Sequence, residues 1–239
     1  MHENPKPVSI SFSGIDGAGK STQIHRLCGR LNEIGLQVSR ITFWTDIAAF
    51  TRFREFTSHR VFHGDRGVGR PDRPVQRRDK NVTSWYLTLF RCSLYLLDAL
   101  KLKVVARSIQ RRSRDIVIFD RYIYDELANL RLDHWLTRRF VQFLLKIVPK
   151  PDLPLLLNAD PAEACSRKPE YPEDFLHRNR ASFLDVARLA DITVIDVRTV
   201  EETGSCVEDE LAQILSGCAQ RNFRRQWSDQ PKISLKQSQ

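Results

Sequence analysis

Apolar and polar positions along the chain switch repeatedly between strand-like and helix-like periods, and the switches predict its elements. A short apolar run from Val8 to Ser13 predicts a first strand. Residues 21–34 then place Ile24, Leu27, Leu31 and Ile34 on one face of a helix, with Gly35 at its stop. Leu36 to Phe43 alternates and is β-branched, which predicts a second strand ending at Trp44, Thr45 and Asp46. From Arg52 to Lys80 the periodicity lapses into Arg, Gly, Pro and His, so a long loop with a short helix at its start is expected. Val82 to about Arg112 predicts one long helix, or two joined, with Trp85, Leu89, Leu96, Leu97, Leu100 and Val104 on its buried face. Ile116 to Phe119 is a fully apolar strand that ends in Asp120 and Arg121. Helical segments follow up to Val148, where Pro149 and Pro151 break the pattern.

Leu153 to Leu157 predicts a fourth strand, and Asp160 and Pro161 read as the cap and first residue of the next helix. Residues 166–174 are polar and proline-broken, and a helix to about Ala190 follows. Ile192 to Val197 predicts the fifth strand and Cys206 to Ala219 the last helix. Strands alternating with helices imply an α/β fold, a three-layer sandwich whose five-stranded parallel sheet is covered by helices on both faces. The expected organisation is a single domain over residues 1–219, with a basic insert at about 52–80, followed by a basic, mobile tail over 220–239. There is no internal repeat.

Composition narrows the partners. With 239 residues and 41% apolar positions the chain can bury a sizeable core, and its net charge of +9 suggests polyanionic ligands. The five cysteines are scattered and form no CxxC pair, so neither a disulfide framework nor a zinc site is indicated. The first residues carry no apolar signal core, and Lys146 interrupts the best apolar segment. A cytoplasmic protein without a membrane partner is expected.

The chemistry concentrates in Ile10 to Gln23, where Gly14, Gly19, Lys20 and Ser21 follow the first strand at the spacing GxxxxGKS. Glycines let a backbone turn approach a polyphosphate, and successive N–H groups then point at its oxygens, aided by the positive end of the following helix. Gly14, Asp16, Gly17, Ala18, Gly19, Lys20, Ser21 and Thr22 are the expected ATP-binding set. Lys20 would reach the terminal phosphates, and the Ser21 hydroxyl would hold Mg²⁺. A GTPase is disfavoured because no NKxD base-reading motif is present, and a Walker B ATPase because Arg121, not Glu, follows Asp120.

Asp16 within FSGIDGAGKSTQ and the triplet Asp120-Arg121-Tyr122 together resemble thymidylate kinases, which are nucleoside monophosphate kinases of the P-loop superfamily. The order of motifs over roughly residues 8–218 also resembles that family: loop, acceptor-side helices, DRY, a fourth strand ending Asn158 to Pro161, a basic lid at about 166–174, and a closing strand and helix. The resemblance implies that Asp16 faces the sugar and phosphate region of the acceptor or orients a water on the metal, unless it is only a turn residue. It implies that Asp120 holds Mg²⁺ through water, a role compatible with pairing to Lys20, and that Arg121 grips the acceptor phosphate. Some members carry a basic residue where this chain has Gly17, and those with glycine supply the cation from the lid. That makes Arg167 the catalytic cation and places Lys168 on the donor nucleotide, against the plainer reading of a solvated charge pair. A homodimer is likewise what the resemblance implies.

The chain departs from the family on the base side. The family's Asp-Arg pair falls on Asp98 and Ala99, so the arginine that reads the thymine edge is absent there, and no Arg-Glu-Pro follows the second strand. After DRY the polar positions are Asp125, Asn129 and Leu130; Arg91, Asn81 or the basic loop are candidate substitutes for the missing arginine. Three readings follow: ATP-dependent phosphorylation of dTMP or a similar nucleotide; the same fold acting on another acceptor, such as a hydroxyl compound with Asp46 as base; or a non-catalytic P-loop module that binds nucleic acid. The last is disfavoured, because the Arg-rich segment lacks interleaved aromatics for base stacking.

Overall fold

The computed structural model describes residues 6–47, 85–109, 115–130 and 132–217. The insert over 52–80, the tail over 220–239 and the substitutes Asn81 and Arg91 lie outside the residues or side chains described. In chain order the elements are β1 (Val8–Ser13), α1 (Lys20–Glu33), β2 (Val38–Thr42), a π-helical turn (Phe43–Ile47), α2 (Trp85–Ile109), β3 (Ile116–Asp120), α3 (Ile123–Leu127), α4 (Trp135–Ile147), β4 (Leu153–Asn158), α5 (Pro161–Arg167), α6 (Glu173–Ala190), β5 (Thr193–Asp196) and α7 (Val200–Gly217).

All strand pairs are parallel, in the order β2-β3-β1-β4-β5. Parallel strands need crossover connections, and here each is helical or contains a helix. β1 therefore lies at the centre, where the chain turns from filling one side of the sheet to filling the other. Sites in open α/β sheets form at that switch point, beyond the strands' carboxyl ends. Every residue of β3 is buried, and of β1 only Ser9 is partly exposed, because helices cover both faces. α1 packs on β1, β2 and β3 and against α7, while α2, α3, α4 and α6 pack on one another.

Three expectations need correction. On α2 the buried positions include Leu94, Tyr95, Asp98, Ala99 and Leu102, whereas Leu97, Leu100 and Val104 are 42%, 47% and 63% exposed. The helix is apolar around most of its circumference, so spacing alone did not define one inward face. α7 begins at Val200, six residues before the predicted Cys206, because Thr199 and Glu202 form a reciprocal cap: Thr199 Oγ1 accepts from the Glu202 amide at 3.2 Å and Glu202 Oε2 accepts from the Thr199 amide at 3.3 Å. The predicted lid over 166–174 is short, since Arg167 closes α5 and Glu173 opens α6.

Candidate active site

β1 delivers the chain into a loop whose shape depends on two glycines pressed against neighbouring backbone. A Cβ on Gly14 would lie 2.6 Å from the Leu157 carbonyl oxygen, and one on Gly17, where φ is +86°, only 2.4 Å from that of Ala164. The second contact is the more informative. The main chain of α5 rests directly on the phosphate loop, so position 17 has no room for a side chain of any kind. α1 then starts at Lys20 without a side-chain cap and without an acidic residue in its first turn. An uncapped helix start behind a glycine turn is a nest of N–H groups suited to phosphate oxygens, which is the fit a triphosphate requires.

Lys20 crosses back under the loop. Its Nζ donates to the carbonyl oxygens of Gly14 at 2.6 Å and Ile15 at 2.9 Å, and the side chain is buried. Burial, reinforced by the charge of Arg121, lowers its pKa to about 8, with Asp125, Asp16 and Asp120 acting in the opposite sense. Arg121 and Lys20 therefore belong to one electrostatic cluster.

Arg121 gets there by an unusual backbone. Its φ of +67° turns the chain sharply at the end of β3, while its amide donates to the Phe12 carbonyl at 3.1 Å. Left-handed backbone costs a non-glycine residue about 1–2 kcal/mol, and such strain persists where surrounding contacts hold it. One such contact is the Arg121 Nη2 bond to Asp16 Oδ1 at 2.5 Å. Burial works against the arginine's charge, but Asp16, Asp125 and Asp120 outweigh it and raise its pKa.

Asp125 is a further member that the motif reading noted only as a departure. It accepts from Ser13 Oγ at 2.7 Å and from the Tyr122 amide at 3.1 Å, and its second oxygen lies 3.9 Å from Arg121 Nη1. Burial raises its pKa against the pull of Arg121 and Lys20. Its spacing, four residues beyond Arg121 in the helix that follows DRY, was the available signal.

The remaining candidates separate. Arg167 bonds Glu163 Oε2 at 3.0 Å, and its Nη1 lies 3.9 Å from where a Gly19 Cβ would stand, so it overhangs the loop. Lys168 pairs instead with Glu170 at 3.2 Å. Ser21 and Thr22 are exposed at the head of α1. Asp120 is nearly buried and its carboxylate is bonded by Arg40 of β2, not by Lys20, whose donors engage its own loop. Asp46 is engaged locally: its Oδ2 accepts from the Thr42 amide at 2.7 Å, which makes it a turn residue. Asp98 and Ala99 are both fully buried on α2.

Among the described residues no cluster of three or more His, Cys, Asp or Glu is built to hold a metal. Mg²⁺ needs no such cage: a hydroxyl, a carboxylate acting through water and the phosphates themselves suffice, and Ser21 and Asp120 are of the right types.

No protein-family model matches the chain. A probable thymidylate kinase of Methanobrevibacter smithii is 27% identical over 214 residues, covering 87% of this chain and 96% of the relative. The thymidylate kinase of Leptospira borgpetersenii is 26% identical over 226 residues, 93% and 98% of the two chains. A probable thymidylate kinase of Pyrobaculum aerophilum reaches 32% over 131 residues, which is 50% of this chain and 67% of the relative. Among solved structures, thymidylate kinases from Ehrlichia chaffeensis (TM-score 0.52, 20% identity, 87% of this chain and 100% of that one) and Candida albicans (TM-score 0.56, 18% identity, 87% and 92%) share the fold. Phosphate loop, DRY turn and parallel sheet thus occur in one chain with relatives of the same kind over most of its length, and the chain belongs to the thymidylate kinase family of nucleoside monophosphate kinases.

Proposed function

We propose that the protein transfers the γ-phosphoryl group of ATP to a nucleoside monophosphate, dTMP being the acceptor its relatives' names point to. The observation that carries this reading is the shared cluster of Lys20, Asp16 and Arg121 at the carboxyl ends of β1 and β3. In it the loop amides and Lys20 hold the donor's phosphates. Ser21 and Asp120 would hold Mg²⁺, which would supply neutralisation of the phosphate charge. Arg121 presents the acceptor phosphate, and Asp16 fixes that guanidinium by its ion pair. Arg167 supplies the cation over the loop that Gly17 does not, and Lys168 would reach the nucleotide after leaving Glu170. No general base is needed, since an acceptor phosphate is already largely anionic near neutral pH. Asp46, occupied with its turn, does not favour a hydroxyl acceptor.

Two further points complete the reading. The exposed row Leu97, Leu100 and Val104 on α2 offers a second copy of the chain an apolar face. Cys28, Cys165 and Cys206 are free thiols, as a reducing cytoplasm would keep them. The test is a panel of nucleoside monophosphates with ATP and Mg²⁺. The expected outcome is conversion of dTMP to dTDP, with Lys20→Ala and Arg121→Ala each slower by roughly 10²-fold or more. Turnover of a nucleoside or sugar in place of every monophosphate would replace this reading by the hydroxyl-acceptor one.

A further inference from the structure

Arg40 is the one site cation whose presence no motif announced. It stands on β2, two residues before Thr42, the register partner of Asp120 on β3, and its Nη2 bonds Asp120 Oδ2. Its charge is also felt on α1: burial pushes the Cys28 thiol up, and Arg40 pulls it back. The carboxylate it holds is within the field of Lys20 and Arg121 and belongs to the phosphoryl-transfer cluster.

The two partners are unequally anchored. The Asp120 side chain is 12% exposed and that of Arg40 46%. A carboxylate so far removed from water needs a cation beside it, because an uncompensated charge there is costly. A half-exposed guanidinium, in contrast, can return to water at little loss. The arrangement thus has one fixed anion and one removable cation, and a hydrated divalent ion is a second cation of the right kind for the same place.

We propose that Arg40 is a positioning residue that holds the metal carboxylate Asp120 whenever no metal is bound and yields it to Mg²⁺, so that the metal requirement of the reaction is set by competition with this arginine. The proposal rests on the reading of Asp120 as the metal carboxylate given above. In the exchange Mg²⁺ with its waters takes the Asp120 oxygen, and the Arg40 N–H groups turn to solvent or to a substrate oxygen. No covalent bond changes.

Mn²⁺, whose free aquo ion is read by electron paramagnetic resonance, reports the exchange on the full-length protein without turnover. Arg40→Gln should bind Mn²⁺ roughly two- to fivefold more tightly than the parent, the span expected for a partly exposed ion pair. Arg40→Lys, a single-point cation that cannot reproduce the planar fork, should fall between. In an Asp120→Asn background Arg40→Gln should have no effect. The Mg²⁺ concentration for half-maximal phosphoryl transfer should fall in Arg40→Gln by the same factor. If Asp120→Asn weakens Mn²⁺ binding but neither Arg40 variant tightens it, the competition is overturned while the Asp120 reading stands. If Asp120→Asn leaves Mn²⁺ binding unchanged in both backgrounds, the metal role of Asp120 fails and this proposal fails with it.

Discussion

Lys20 occupies a place hostile to a lone ammonium group: buried, next to Arg121, and stabilised only by two loop carbonyls and three carboxylates at longer range. A bound triphosphate reverses that balance by adding negative charge where the ammonium points. With the Lys20 pKa at about 8, ATP must find the lysine protonated or supply the protonation itself. The ratio kcat/KM for ATP should therefore be flat between about pH 7 and 8, where the phosphates are already ionised, and fall with increasing pH above that, towards tenfold per unit. A profile that stays flat to pH 10 would show that the ammonium is better compensated than its contacts indicate. The linkage to folding has the opposite slope. Between about 8 and the ordinary 10.5 the unfolded chain binds the proton that the folded, ligand-free chain has lost, so this group's contribution to stability rises with pH across that window.

At the scale of elements, α7 shows what a local signal can do. Thr199-Val200-Glu201-Glu202 has the form of a capping box, and the box sets the start of the helix. Thr199→Ala should destabilise the protein by about 1 kcal/mol with kcat unchanged, read as a drop in chemical-denaturation midpoint; an unaltered midpoint would mean that the Gln23 bond to the Val200 carbonyl already fixes this end. That signal was present in the sequence, as were the apolar run Ile116 to Phe119 of β3 and the Asp160-Pro161 start of α5. Elements that depend on their neighbours were not legible. The inward face of α2 is chosen by α3 and α4 from a helix apolar on most sides. The π-helical turn after β2 forms around the Asp46 bond to Thr42, where alternation suggested only a strand end. The loop lysine and DRY arginine could be named from spacing, but Asp125's bond to Ser13 and Arg40's to Asp120 link residues 112 and 80 positions apart. Only the strand order brings them together.

At the scale of the molecule, the sheet order places β3 beside β1 and so puts DRY next to the phosphate loop, while among the described residues Leu97, Leu100 and Val104 of α2 stand exposed. Among the described residues no helix is long and apolar enough to cross a membrane. The homodimer reading makes a direct prediction: the protein should elute as a dimer by light scattering, and Leu100→Glu, which puts a charge in the middle of the row, should shift it to monomer while the circular dichroism spectrum is kept. A parent protein that is already monomeric at tens of micromolar would leave the row to another partner.

Position 17 has a consequence for how this chain can change. Its Cβ site is filled by the Ala164 carbonyl, so an arginine introduced there would first have to push α5 away, and α5 is what carries Arg167 over Gly19. An arginine placed at position 17 is therefore expected to displace α5, and Arg167 with it, rather than add a second cation to the loop.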